Sequence, residues 1–374
     1  MIISTTYLRK FFKSLYVFYY LIFSILDIFL FLITPKIKTN NNILLIKLDR
    51  YGDFILWNDH FNQIIKYFKK KNIFLLCNDN LKEYLKKNYK NITFIACDKK
   101  SFLFNFIYIY QKLFFLRKFF FERVINFHRD RDIYYSDCIV KITNSSNKIG
   151  SKIHEKGFLN NISNYHYNKL VETRERSHES IYLNEFKKKL FRGNYSYKKN
   201  LKFKKDKSLL KFKNCILISC GGSDDKRNIS LNKILLSLRI SKQNKTKIVI
   251  VGNNYEKNFI NKNYVFYNNI INLAGKTNFD DFIYLHYLAK VIISNDSASG
   301  HLAHYFKKKS FTFLGGGHFN RFFPYPKKNL KKHKYIYKKM KCFNCNWNCL
   351  YDNLSMNKYP CIEKVENTFN IIKI

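Results

Sequence analysis

The stretch Asn295–Phe306 reads NDSASGHLAHYF and follows directly on VIIS (291–294). An apolar strand therefore runs into a cluster of small polar residues and then into a helix-forming sequence. Ser297, Ala298, Ser299 and Gly300 would let a ligand approach the main chain. N–H groups at a helix start lack intrahelical partners, and the helix dipole there favours an anion. The corner reads either as a plain helix cap or as a cradle for a diphosphate. Asp296 would orient the loop or contact a sugar, and His301, just inside the helix, would serve the ligand or the packing.

The same strand, corner and helix grammar recurs in both directions. Short apolar runs stand at ILLIKL (43–48), NIFLLC (72–77), ITFIAC (92–97) and RVINF (123–127), with helix-period stretches such as FILWNDHFNQIIKYFKK between them. After a lysine-rich stretch poor in apolar residues (197–214), the pattern restarts with CILISC (215–220), KIVIVG (247–252), VIIS and FTFLGG (311–316). Such alternation predicts an α/β chain with parallel sheets covered by helices. The expected domains are an apolar membrane-associating helix and basic linker (1–42), a first Rossmann-like domain (43–196), a linker (197–214), a second Rossmann-like domain (215–340) and a cysteine-containing tail (341–374). Facing Rossmann-like halves would present their strand C-termini to a central cleft, where open α/β sheets bind ligands.

Two further corners carry chemistry. In KLDRYGDFIL, Gly52 turns the chain and Asp53 opens a helix. Asp53 is either an N-cap or a carboxylate placed to take a proton from an attacking hydroxyl. In CGGSDDKRNIS, Gly221 and Gly222 allow a tight turn and Lys226 follows, a compact cation suited to phosphate. The GxxxxGK[ST] order of a Walker loop is absent.

Composition sets the outer limits. The 374 residues suffice for two ordinary domains, and an apolar share of 46% is that of a folding chain. A net charge of +42 invites a nucleic-acid reading, but the lysines are spread through nearly every segment. Lys, Asn, Ile, Phe and Tyr also share A/T-rich codons, so no nucleic-acid partner is expected. The surface should instead favour anionic lipid or phosphorylated substrates. LYVFYYLIFSILDIFLFLI (15–33) would span ~28 Å as a helix, about the hydrocarbon thickness of a bilayer. Its weak polar stripe suits a helix lying in the interface as well as one that crosses, or a helix packed on the domain behind it.

Of nine cysteines, five lie singly, mostly in apolar runs, as in a reducing compartment. Cys342, Cys345, Cys349 and Cys361 gather in the tail. They would bind zinc only with an unusual spacing, so packed reduced thiols and no metal are the preferred expectation.

The three corners together resemble glycosyltransferase family 9, the ADP-heptose:lipopolysaccharide heptosyltransferases. The resemblance covers about residues 43 to 365. Its most specific part is NLAGKTNFDDFIYLHYLAKVIISNDSASGHLAHYF (272–306). It implies a GT-B fold and an inverting transfer of a heptose-like sugar from a nucleotide diphosphate, an ADP-sugar foremost, to a lipopolysaccharide core or other lipid-linked glycan. No cofactor would be required. Asp53 would be the catalytic base. Gly222, Lys226, Asp296, Ser297, Ala298, Ser299 and His301 would hold the donor. The acceptor side would draw on Arg50, His128, Arg129 and Arg131, or these residues form a solvated charged loop. Where the family has Gly, this chain has Ala298, which loses easy access to positive φ. The expected setting is the cytoplasmic face of the inner membrane. The alternatives are a non-catalytic nucleotide-sugar binder and, behind it, a basic nucleic-acid-binding protein.

Overall fold

A computed structural model describes residues 21–34, 41–155, 157–191, 200–219, 221–222, 224–238, 246–263, 269–326, 330–351 and 356–368. The chain divides into two compact units. One comprises Met1–Arg50, Asp59–Glu175 and Tyr182–Lys198. The other comprises Tyr51–Asn58, Arg176–Ile181 and Lys199–Ile374.

The first unit is built on a six-stranded parallel sheet. In chain order its strands are β1 (Asn42–Lys47), β2 (Asn72–Asn78), β3 (Ile92–Cys97), β4 (Arg123–Asn126), β5 (Lys148–Ser151) and β6 (Lys169–Val171). They lie in the order β3-β2-β1-β4-β5-β6, with Ile43 opposite both Ile73 and Arg123. The second unit repeats the plan with β7 (Ile216–Ser219), β8 (Ile248–Ile250), β9 (Ile270–Asn272), β10 (Val291–Asn295), β11 (Lys309–Phe313) and β12 (His333–Ile336). Their order is β12-β11-β10-β7-β8-β9, the same topology read from the other edge. The strand order reverses once in each sheet, at β1/β4 and at β7/β10. These are the points where open α/β sheets leave a crevice for ligands.

Near-continuous apolar runs form the central strands because both sheet faces are covered. Along β7 the alternation of side chains sorts the residues: Ile216 and Ile218 join one core, and Leu217 joins the core on the opposite face. The stretch expected as a linker is instead partly structural. Leu201 and Phe212 are buried in the second unit, and the Leu201 amide donates to the Tyr305 hydroxyl at 2.7 Å.

The nineteen-residue apolar helix expected over 15–33 is not found whole. Residues 21–33 are helical, 15–20 lie outside the described residues, and no described helix is long and apolar enough to cross a membrane. Phe23, Leu26 and Leu30 recur at helical spacing and are buried against the first unit. Asp27 pairs with Arg117 at 2.9 Å, and Lys141 donates to the Ser24 hydroxyl at 2.6 Å. The outward side keeps Ile25, Ile28, Phe29 and Leu32 in the open, and Phe106 and Ile107, at the start of the helix Phe106–Arg117, are also exposed.

Candidate active site

β10 ends at Asn295, and the helix Ala298–Tyr305 begins three residues later. Ser297 occupies its N-cap position in an extended conformation, yet its hydroxyl caps nothing. The buried hydroxyl oxygens of Ser294, Ser297 and Ser299 have no hydrogen-bond partner. Three unsatisfied hydroxyls at one corner fit a polar ligand better than a closed cap, since burying such groups unpaired is costly. Ala298 opens the helix in ordinary helical conformation and is not among the positive-φ residues, so alanine strains nothing here.

His301 is buried, with Nδ1 2.9 Å from the Tyr325 hydroxyl and its ring stacked on Phe323 at 4.5 Å. Burial and the neighbouring His178 and His304 hold its pKa well below the ordinary value, so the ring is neutral. Burial pushes the Asp296 carboxyl up to about 7, against the opposing pull of Arg227 and Arg321. Asp296 therefore changes charge close to neutral pH.

The neighbouring corner follows β7. Asp224 caps the short turn Asp225–Arg227 by accepting from the Lys226 amide at 3.0 Å. Asn295 ties this loop to the end of β10: its side-chain oxygen accepts from the Ile229 amide at 3.2 Å and its amide donates to Asn228 at 3.3 Å. Lys226 lies 5.8 Å from the centre of the Tyr359 ring, and its carbonyl accepts from the Tyr359 amide at 3.0 Å. Gly222 sits where a Cβ would strike the Asn228 side chain. Lys226, Gly222 and residues 296–301 thus stand at the β7/β10 switch point.

Asp53 lies in the first turn of the helix Tyr51–Tyr67, whose start belongs to the second unit. At Gly52 the main chain approaches the Ala298 helix so closely that an added Cβ would stand 3.2 Å from His301 Cδ2 and 3.6 Å from the Ala298 nitrogen. The ring contact of Tyr51 with Phe279 at 4.3 Å fixes this turn. The carboxylate one residue on is therefore brought to the same corner as the small-residue loop.

The expected acceptor residues fare differently, all within the first unit. The His128 ring accepts from the Leu48 amide through Nε2 at 2.8 Å and turns Nδ1 toward Asp49 at 3.3 Å, so it braces the end of β1. Burial opposes ionisation of Asp49, but His128 and Lys47 overcome it and hold the carboxyl well below the usual range. Arg131 is a correction to the sequence-based expectation. Its side chain is 0% exposed and is bound to Asp137 at 3.1 Å and to the Ser151 carbonyl at 2.7 Å. An enclosed guanidinium has no face left for an acceptor. Arg129 donates to the Arg174 carbonyl at 3.0 Å, and Arg50 is exposed at the N-cap position before Tyr51.

Asn295, Tyr325, Arg321 and Tyr359 were not singled out in the sequence. Only Asn295 had a visible signal, as the polar end of an apolar strand. The others reach the corner from loops and the tail.

A family model described as glycosyltransferase family 9 (heptosyltransferase) matches residues 131–350. A family 9 glycosyltransferase from Veillonella parvula aligns with a TM-score of 0.62 and 15% identity, over 89% of this chain and 97% of its own. The E. coli heptosyltransferase WaaC, solved with ADP-2-deoxy-2-fluoro heptose, aligns at 0.58 and 12%, over 82% and 97%. E. coli ADP-heptose lps heptosyltransferase II aligns at 0.56 and 13%, over 80% and 91%. At these identities the likeness is one of fold. No curated protein sequence matches the chain.

Proposed function

Because the chain belongs to glycosyltransferase family 9, and is a glycosyltransferase, we propose that it moves a heptose-like sugar from a nucleotide diphosphate to a lipid-linked acceptor such as a lipopolysaccharide core. One observation carries this reading most directly. The turn bearing Asp53 lies against the start of the Ala298 helix, where the Ser297 and Ser299 hydroxyls are buried without partners.

In the proposed reaction Asp53 takes the proton from the acceptor hydroxyl as its oxygen attacks the anomeric carbon. The bond to the diphosphate breaks on the opposite face, which inverts the configuration. Negative charge then grows on the departing phosphate, where Lys226 and the amides of Ala298 and Ser299 would stabilise it. Asp296 and His301 would contact the donor as neutral groups. An ADP-sugar donor is supported by WaaC having been solved with ADP and with an ADP-heptose analogue. Placement on the cytoplasmic face of the membrane, with the helix at 21–33 lying in the interface, is supported by its exposed apolar side and by the net charge of +42.

A thermal-shift panel of ADP-, GDP-, UDP- and CMP-sugars tests the donor assignment, since a ligand that binds only the folded state raises its Tm. One nucleotide class should raise Tm, Lys226→Ala should abolish the shift, and Asp53→Asn should keep the shift while losing turnover. A folded sample that responds to none of them refutes the reading. Turnover undiminished in Asp53→Asn would remove the base from Asp53.

A further inference from the structure

Away from the candidate active site, the second unit carries a hollow of about 380 Å³. Its wall is Lys290, Lys307–Lys309, Lys331, Lys332 and Lys334, with only Asn214 and Ala289 beside them. Lys and Arg make up 68 of the 374 residues, fewer than one in five. Lysine supplies seven of the nine residues here, so the fold concentrates at this place a charge that the sequence spreads.

Three segments bring these lysines together. Lys290 stands just before β10, Lys309 opens β11 opposite Val291, and Lys334 of β12 lies opposite Phe311. In a parallel sheet these are the N-terminal strand ends, whereas Lys226 and Asp296 follow the C-terminal ends of β7 and β10. The helix that starts at Ala298 closes at Lys307, which is left-handed (φ 54°). Ordinary causes explain part of the charge. A helix C-terminus favours cations, which suits Lys307 and Lys308, and lysine on an edge strand such as β12 blocks stray pairing. Neither cause reaches Lys290, Lys309, Lys331 or Lys332. Among the described residues none of the seven is ion-paired with a carboxylate. Burial lowers the pKa of Lys308, Cys215 opposes this, and the charge of Lys332 adds to the lowering. Like charges thus repel one another here, a cost that a bound anion would remove.

We propose that this hollow binds clustered phosphate groups, those of one polyphosphorylated molecule or of neighbouring lipid headgroups, at a site separate from the donor corner. Its volume is that of a small-ligand pocket, but such pockets are mostly apolar, and here Ala289 is the one apolar residue of the wall. Ammonium groups are mobile point charges, which neutralise several phosphates without the planar geometry that an arginine fork demands. Bases are read by arginine and stacked on aromatic rings. The wall holds neither, which favours phosphate alone over nucleic acid. The inference does not rest on the transferase reading, because the hollow shares no residue with the donor corner.

The test uses the full chain with two probes, inorganic tripolyphosphate and phosphatidylcholine vesicles with or without phosphatidate, at near-physiological salt. Lys290→Gln/Lys309→Gln/Lys332→Gln/Lys334→Gln is compared with a control that loses the same charge elsewhere, Lys69→Gln/Lys70→Gln/Lys86→Gln/Lys90→Gln. By calorimetry the first variant should bind tripolyphosphate roughly tenfold more weakly or worse, as for the loss of about four exposed ion pairs. The control should bind nearly as the wild type does. Lys226→Ala should leave this binding in place. A response to tripolyphosphate identifies a free anion. A response only to phosphatidate vesicles, lost in the first variant, identifies lipid headgroups. Should that variant fail to fold, amine acetylation of the wild type decides, with the probe shielding the seven lysines while Lys69 and Lys86 react as before. Equal losses in the two variants, binding lost in Lys226→Ala, no selective shielding, or no response to either probe overturns the proposal. Duplex DNA that binds through these lysines when neither probe does would give the surface to nucleic acid and overturn it as well.

Discussion

The outward stripe of the helix at 21–33 makes a quantitative prediction. Ile25, Ile28 and Leu32 are 68%, 64% and 75% exposed, and their i, i+3, i+7 spacing puts them on one side. Moving such a side chain from full exposure to full burial is worth ~1.5–3 kcal/mol. At about two thirds exposure each, the three together hold ~3–6 kcal/mol that only an apolar environment can recover. Replacing all three with Gln should lower vesicle binding by roughly a hundredfold to ten-thousandfold. The inward residues Phe23, Leu26 and Leu30 are untouched, so Tm and far-UV circular dichroism should hardly change. The assay is co-sedimentation with anionic and with zwitterionic vesicles across a salt series. Salt weakens the attraction of a basic surface and leaves the apolar share in place. Wild-type binding that vanishes entirely at high salt, or a triple variant that binds like the wild type, would refute the reasoning.

Other outcomes follow from the site. Asp53→Asn should lower turnover by ~10²- to 10⁴-fold, the range for loss of a general base, with the nucleotide-induced Tm shift retained. Nucleotide affinity should hold steady below pH about 7 and weaken above it. There Asp296 is ionised before an anionic ligand arrives, so binding must take up a proton; isothermal titration of Asp296→Asn should show a flat profile. Arg131→Ala should destabilise the chain by ~3–5 kcal/mol, because Asp137 is left buried without its cation. Adding Asp137→Asn should restore part of the lost Tm, which a merely mispacked loop would not allow.

The sequence showed the central strands because long apolar runs are what two covered sheet faces require. It did not show β5 (KIGS), β6 (KLV), β9 (IIN) or β12 (HKYI), which are three or four residues long and mostly polar at their ends. Those short strands form because a neighbouring strand offers its hydrogen bonds, and a local reading cannot see a neighbour. The Ala298 corner was legible for the opposite reason, since strand, small residues and helix are contiguous. Arg131 was not. In the string FHRDRDIYYSD it looks like a solvated charge, and its burial depends on Ser151 and Ser163, brought to it by a separate strand and helix. Likewise no spacing rule places Tyr359 against Lys226.

That last contact bears on when the protein becomes competent during its synthesis. Trp347 and Tyr359 lie against the loop of Lys226 and Arg227, and Cys361 closes over Gly316. The loop of Lys226 and Arg227 is therefore braced by residues translated more than a hundred positions later. The first sheet holds all of its strands by residue 171, so that half can gain its core early on the ribosome, as N-terminal domains generally do. Under the proposed function, its apolar helix would thus be available to a membrane well before the loop of Lys226 and Arg227 has its support, and a nascent chain would meet a lipid surface before it could hold a nucleotide sugar.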